Sequence, residues 1–310
     1  VTVRASTFND LIGAFPDQMV SLKYMVKGKT LKVSCAGTQT KIKCMPVEEF
    51  PPTDPEGDIQ YDLTFESEEL QAIIRRSAFA TTDEISRPAL TGINISMNGY
   101  GTQFAGADGF RLSFIQHNME PPDEPLSITI PAKAMLYVKS TIEGHETVGV
   151  TMAANLSSAT FAVEDARVTV QMLNMDYPDF SGILEIAKTH ETRAVMSVNE
   201  FRNACRAVNV IARDDNYQGK VEIKPGIGND MDAVIVSAQS QETGESQSIV
   251  DATVEGEGME ISFNLVMIQE FLRSVGDGQF SIESSGAGKP AVFQLVGDES
   301  YTHIIMPMTL

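Results

Sequence analysis

One pattern recurs along this 310-residue chain and constrains its fold more than any single motif. A short strand leads into an amphipathic helix, and three alternating strands follow. The first copy reads Val1–Val3, helix Thr7–Phe15, then Val20–Val26, Thr30–Cys35 and Thr40–Met45. The second has Tyr61–Phe65, helix Ser67–Phe79, then Leu90–Met97, Tyr100–Ala107 and Arg111–His117. The third runs Leu126–Ile130, helix Ala132–Ile142, Thr147–Ala153, Ser158–Val163 and Ala166–Leu173. A fourth opens with Ala194–Val198 and helix Asn199–Ile211, with strands near Lys220–Lys224, Met231–Gln239 and Glu245–Val254. The last has Gly258–Phe263, helix Leu265–Val275, Gln279–Ser284, Ala291–Leu295 and Tyr301–Pro307. Repetition at a fixed period marks modules that bury their apolar faces against one another. The helices carry stripes at helical spacing, such as Leu70, Ile73, Ile74 and Phe79, and the strands alternate, so each sheet buries one face under a helix. The predicted class is α+β.

A unit of roughly 50–65 residues is small for a core of its own, so the units are expected to pair into domains above about 100 residues. Joints rich in proline, glycine and acid lie at Glu49–Pro55 and Asp176–Gly182. They divide the chain into 1–55, 56–180 and 181–310, the last two spans holding two units each. The first unit has no mate, and the simplest account is a chain without the first half of its N-terminal domain.

Charge narrows the function. The net charge is −19, which excludes a conventional DNA-gripping domain, since that contact needs Lys and Arg against phosphate. It leaves room for a protein that encloses DNA, provided the basic residues gather on one surface. No apolar run approaches the roughly 20 residues of a membrane helix. The cysteines, Cys35, Cys44 and Cys205, form no CxxC pair, which argues against a zinc site or disulfide framework and suits the cytoplasm.

Short stretches then carry a resemblance. Arg87-Pro88-Ala89-Leu90-Thr91-Gly92 with Ala107-Asp108-Gly109-Phe110-Arg111-Leu112 resembles the middle-domain signature of the bacterial DNA sliding-clamp family, the β subunit of DNA polymerase III. Tyr177-Pro178-Asp179-Phe180 is similar to the family's linker before the third domain. Asn216–Val221 and Phe263-Asn264 are similar to third-domain landmarks, and Met306-Pro307-Met308-Thr309-Leu310 to the closing tail. The match spans essentially the whole chain, beginning partway through the family's first domain.

The resemblance implies a DNA-clamp fold: a head-to-tail homodimeric ring with helices lining a hole around double-stranded DNA and sheets outside. It implies a processivity factor, not an enzyme, that tethers the replicative polymerase catalytic subunit. Further implied partners are the clamp loader, other polymerases and repair proteins; no cofactor, metal or membrane is implied. DNA-facing candidates are Arg75, Arg76, Arg87, Lys133, Lys139, Arg202 and Arg206, although the same cations would suit ordinary solvated helix faces. The implied peptide cleft comprises Leu90, Arg111, Leu112, Pro178, Ile183, Tyr217, Asn264, Met267, Ile304, Met306, Pro307 and Met308. On the residues alone, Met306–Met308 also reads as the end of a core strand. Phe110, Gly182 and Thr309 depart from the family's usual His, basic residue and Arg, making the site more apolar.

For ring closure, a basic edge in the first unit (Lys32, Lys41, Lys43) is expected to meet an acidic edge in the fourth (Glu242, Glu245), with Ile42, Ile211 and Ala212 burying apolar area. The competing reading is a clamp-derived peptide-binding scaffold that no longer encircles DNA. Enzyme readings are poor. His117, His145, His190 and His303 lack metal or triad spacing. Ser285–Pro290 imitates a phosphate loop but has Pro where Ser or Thr should hold magnesium. Asp214, Asn216 and Gly219 imitate a calcium loop, with Pro225 at the closing Glu position.

Overall fold

The strand–helix–three-strand order is present in the computed structural model, which describes residues 1–46, 59–119, 125–226 and 231–308. The joint at Glu49–Pro55 lies outside the described residues. Contacts divide the chain into two units, Val1–Glu56 and Gly57–Leu310.

In the first unit, α1 (Ala5–Gly13) covers the antiparallel sheet β1 (Ser21–Met25), β2 (Thr30–Cys35) and β3 (Thr38–Lys43), in the order β1-β2-β3. Alternation sends Leu31, Val33 and Ile42 under the helix, where Phe8, Leu11 and Ile12 pack on them. The predicted leading strand Val1–Val3 is instead a single bridge between Thr2 and Met45. The helix starts two residues earlier than predicted, since the Phe8 amide already donates to the Arg4 carbonyl at 3.1 Å.

The second unit holds the other four repeats. These are β4 (Ile59–Glu66), α2 (Ser67–Ala78), β5 (Gly92–Asn98), β6 (Gly101–Ala107), β7 (Arg111–His117); then β8 (Leu126–Pro131), α3 (Ala132–Ile142), β9 (Thr147–Ala153), β10 (Ser158–Ala162), β11 (Arg167–Gln171). After α4 (Ser181–Ala187) come β12 (Thr192–Ser197), α5 (Val198–Ala212), β13 (Gln218–Lys224), β14 (Ala233–Ser240), β15 (Gly244–Glu255); then β16 (Met259–Asn264), α6 (Leu265–Val275), β17 (Gln279–Ser284), β18 (Ala291–Leu295), β19 (Tyr301–Ile305).

Each leading strand joins the sheet of its neighbour repeat. β4 pairs with β9 and β8 with β5; β16 pairs with β13 and β12 with β17. This exchange gives one four-stranded sheet, β11-β10-β9-β4. A twelve-stranded sheet runs β16-β13-β14-β15-β12-β17-β18-β19-β7-β6-β5-β8. β15 serves two neighbours in succession, Gly244–Asp251 pairing with β14 and Ala252–Glu255 with β12. The β7–β19 pairing, from Ile115↔Tyr301 to Arg111↔Ile305, fuses the two pairs of repeats.

Backed by these sheets, the helices pack in the order α3, α2, α6, α5. Their buried faces are the predicted stripes: Leu70, Ile73 and Ile74 on α2, and Ile268, Phe271 and Leu272 on α6. The start of α5 is N-capped by Ser197, whose Oγ accepts from the Glu200 amide. The short α4 was not expected. Asp179 Oδ1 accepts from the Ser181 amide at 2.9 Å and starts it, but seven residues are too few for helical periodicity to show.

Candidate functional site

At the β7–β19 seam the alternation of two strands builds two different environments. On one face, Leu112 and Ile304 stand directly opposite each other and are 3% and 1% exposed. With Leu90 they floor a cavity of about 200 Å³. Its walls are Tyr177, Pro178, Asp179, Phe180 and Ile183 from the linker and α4, Phe110 from the β6–β7 turn, and Met306 from the tail. Tyr177 and Phe180 meet edge-on with centroids 6.2 Å apart, and Phe180 also packs on Phe114. The Tyr177 hydroxyl is buried, and that burial pushes its pKa up. The lining is apolar, while Phe110, Ile183 and Met306 keep substantial exposure at the rim. Such a cleft suits side-chain anchors of a short peptide better than any catalytic chemistry.

The turn that carries Phe110 depends on Asp108 and Gly109. Asp108 Oδ1 accepts from the amides of Phe110 and Arg111, at 2.8 and 3.0 Å. Gly109 has φ +94°, and a Cβ there would meet Arg87 Nη1 at 2.4 Å. The Met306 amide donates to the Phe110 carbonyl at 2.8 Å, fastening the tail to this turn.

Of the residues expected in the cleft, Leu90, Arg111, Leu112, Pro178, Ile183, Ile304 and Met306 line this cavity. Tyr217, Asn264, Met267, Pro307 and Met308 do not. Asn264 caps α6, its Oδ1 accepting from the Val266 amide at 2.9 Å. Tyr217 holds a left-handed φ of +60° and accepts from the Leu265 amide through its carbonyl. Met267 packs against the main core, and Met308 donates its amide to Ser262. Thr309 lies outside the described residues. Sequence reasoning passed over Tyr177, Asp179 and Phe180 as site residues, although the linker motif already contained them.

Arg111 lines the cavity and also braces the seam. Its side chain is 8% exposed, and its guanidinium pairs with Asp108 at 2.9 Å and with Glu270 of α6 at 2.5 Å. It also donates to the Phe79 carbonyl. It joins α2, α6 and β7 and has no charge left over for a ligand. Beside it, on the same face of the seam, His303 is fully buried and stacks on Phe271 with centroids 5.1 Å apart. Its Nδ1 bonds Ser113 Oγ at 2.8 Å. Burial, then the Arg111 charge, hold its pKa well below the ordinary 6.5. The folded state therefore keeps His303 neutral, while the unfolded chain takes up a proton below about pH 6.5. The stability this contributes is present above pH 6.5 and is lost as pH falls through the window below it. We expect Tm to fall from pH 6.5 downward, and the His303→Phe variant to show a shallower fall in the same calorimetric series.

The cations expected to face DNA fall into two groups. Arg75 donates to the Ser274 carbonyl, and Arg202 to the carbonyls of Leu272 and Gly276, so both stitch neighbouring helices together. Arg76 pairs with Asp298 at 2.8 Å and lies over the Tyr301 ring. Lys133 pairs with Asp83 in full solvent exposure. Lys139 and Arg206 make no ion pair among the described residues, and Arg206 is exposed on α5. Arg87 immediately precedes the short 3-10 helix Pro88–Thr91 and lies beside Gly109, bonding Glu84 and the Asp108 carbonyl next to the cleft.

A family model for the DNA polymerase III beta subunit, central domain, matches residues 64–179. A second, for the C-terminal domain of the same subunit, matches 186–309. The chain belongs to the DNA polymerase III beta-subunit family. Its function is accordingly that of a sliding clamp, a processivity factor in DNA replication. The beta sliding clamp of Synechococcus elongatus is 23% identical over 315 residues, covering 100% of this chain and 81% of the relative. That of Staphylococcus aureus is 25% identical, covering 97% and 78%. Among solved structures, the Thermotoga maritima beta subunit superposes with a TM-score of 0.85 at 22% identity, over 99% of this chain and 81% of that one. The Bacillus subtilis sliding clamp gives 0.84 at 20% identity, over 99% and 79%. The fold is the clamp fold.

Two of the residues assigned to closure of the clamp are already buried within the chain itself. Ile42 is 8% exposed inside the core of the first unit, and Ala212 is 1% exposed at the end of α5. Lys32, Lys41 and Lys43 were expected to form a strand edge, but alternation puts all three on one face of the sheet, Lys32 on its central strand. Glu242 and Glu245 are exposed at the β14–β15 hairpin, and Ile211 is half-buried. The half of β15 from Gly244 to Asp251 pairs with β14 alone, leaving its other edge open among the described residues. Ile249, on that edge, is 66% exposed.

Proposed function

We propose that two copies close head to tail into a ring around duplex DNA, and that the apolar cleft receives peptides of the polymerase and other clamp partners. The observation that carries this reading is the continuous α3-α2-α6-α5 helix layer backed by sheets, with the cleft at the seam between two pairs of repeats. In this reading the chain has three modules, 1–55, 56–180 and 181–310, and Lys133, Lys139 and Arg206 are the cations that meet phosphate. Their contacts are few and solvated, which centres DNA without trapping it at one sequence. Closure pairs the backbone edge of β3 with the open half of β15, supported by Ile211, Ile249, Glu242 and Glu245. The clamp acts without catalysis in the cytoplasm, where the clamp loader, other polymerases and repair proteins are its further partners. Among the described residues no helix is long and apolar enough to cross a membrane.

Light scattering is expected to give twice the 33.7 kDa of one chain. After loading on nicked circular DNA by a loader ATPase, the protein should stay on the circle and leave when the circle is linearised. Retention that survives linearisation would contradict encirclement, and no retention at all would favour the peptide-binding scaffold.

A further inference from the structure

The register of the first unit aligns like charges. Lys23 stands directly opposite Lys32, and Lys32 opposite Lys41, so one row of three lysines crosses the sheet. Alternation adds Met25, Thr30 and Lys43 on one side of that row, and Ser21, Ser34 and Gln39 on the other. This face is the one turned away from Leu31, Val33 and Ile42, and its side chains are exposed or half-exposed. None of the four lysines makes an ion pair among the described residues, and the three strands contain no carboxylate, in a chain of net charge −19.

Like charges directly opposite in an antiparallel pair destabilise it. A threefold row is therefore a cost to the sheet, and a bound polyanion offsets it. The composition of the face selects the polyanion. It has one apolar side chain, Met25, so it lacks the anchors by which a protein segment gains affinity. It has no aromatic platform for unstacked bases, which disfavours single strands. Lysines among Ser, Thr and Gln are the groups that contact phosphate and sugar without reading sequence. The row spans about 10 Å and the Lys41–Lys43 step about 7 Å, enough for several phosphates of one duplex.

We propose that the lysine face of β1–β3 binds the phosphate backbone of duplex DNA, without sequence preference and by a contact separate from encirclement. The probe is a dumbbell duplex of about 30 base pairs, sealed by loops at both ends, with the full chain at low salt. Fluorescence anisotropy should show binding whose log affinity falls with log salt by about 3 to 4, as expected for four released counterions. The K23Q/K32Q/K41Q/K43Q variant should bind at least tenfold more weakly, with a slope near zero. Its Tm should hold or rise, because the repulsion is gone. The matching fourfold Lys→Arg variant should bind within threefold of the parent.

Unchanged affinity in the Gln variant would overturn the proposal, as would a parent slope below about 1. So would loss of binding on Lys139→Gln with Arg206→Gln, which would place the contact on the helices. Tighter binding of a 20-residue polyglutamate than of the duplex, lost in the Gln variant, would replace DNA by an acidic protein segment. Loading and retention on circular DNA by the Gln variant separates this inference from the encirclement reading, since retention tests the ring alone.

Discussion

Deletion of Met306–Leu310 is expected to weaken binding of a peptide with aliphatic and aromatic anchors by about 30-fold or more, the loss typical of removing a central anchor contact. Met306 is a wall of the cleft beside Ile304 and Phe110. The deletion also removes the amide bonds from Met306 to Phe110 and from Met308 to Ser262. At about 1 kcal/mol each, their loss should lower Tm by roughly 4–8 °C. β19 ends at Ile305, so its pairing with β7 and β18 is left intact. Fluorescence polarisation with a labelled peptide measures the first effect and calorimetry the second. Affinity equal to that of the parent would show that the peptide binds elsewhere.

The largest stability effect is expected at Arg111. Replacement by Met keeps much of the volume but removes a guanidinium that is 8% exposed and held by two carboxylates and a carbonyl. Breaking a buried pair by deleting one partner costs about 3–5 kcal/mol, because the other charge stays behind. Asp108 is 13% exposed and would be stranded, whereas Glu270, a third exposed, is partly relieved by solvent. A loss of about 3 kcal/mol lowers Tm by roughly 6–12 °C in a unit of this size. Lys at this position should restore little, since it cannot bond Asp108, Glu270 and the Phe79 carbonyl in one plane. Glu270→Gln alone should cost about 1 kcal/mol. A Tm within 2 °C of the parent for Arg111→Met would mean that the junction does not depend on this hub.

Both predictions concern one seam, whose residues the sequence named without their separate contacts. Arg111 and Leu112 are adjacent in a strand, so they face opposite ways: one toward α6, the other into the cleft. The family motif Ala107–Leu112 marked the segment as functional without distinguishing the two faces. The five expected cleft residues that do not line the cavity follow the same logic. Asn264 and Tyr217 are fixed by a helix cap and a left-handed turn, which are local backbone needs. Lys139 and Arg206, which make no ion pair among the described residues, were legible as helix-surface residues, whereas Arg75 and Arg202 looked equivalent until a neighbouring helix brought carbonyls to them.

Helix stripes, strand alternation and the fivefold order were determined by the sequence, because each depends on residues within about a dozen positions of one another. So was the cleft's apolar character, since its lining clusters in four short stretches. The tertiary structure alone decided the exchange of leading strands between repeats, the twelve-stranded sheet and the lysine row. Those depend on which strand lies beside which and in what register, and many pairings satisfy the same alternation; only the packed whole selects one.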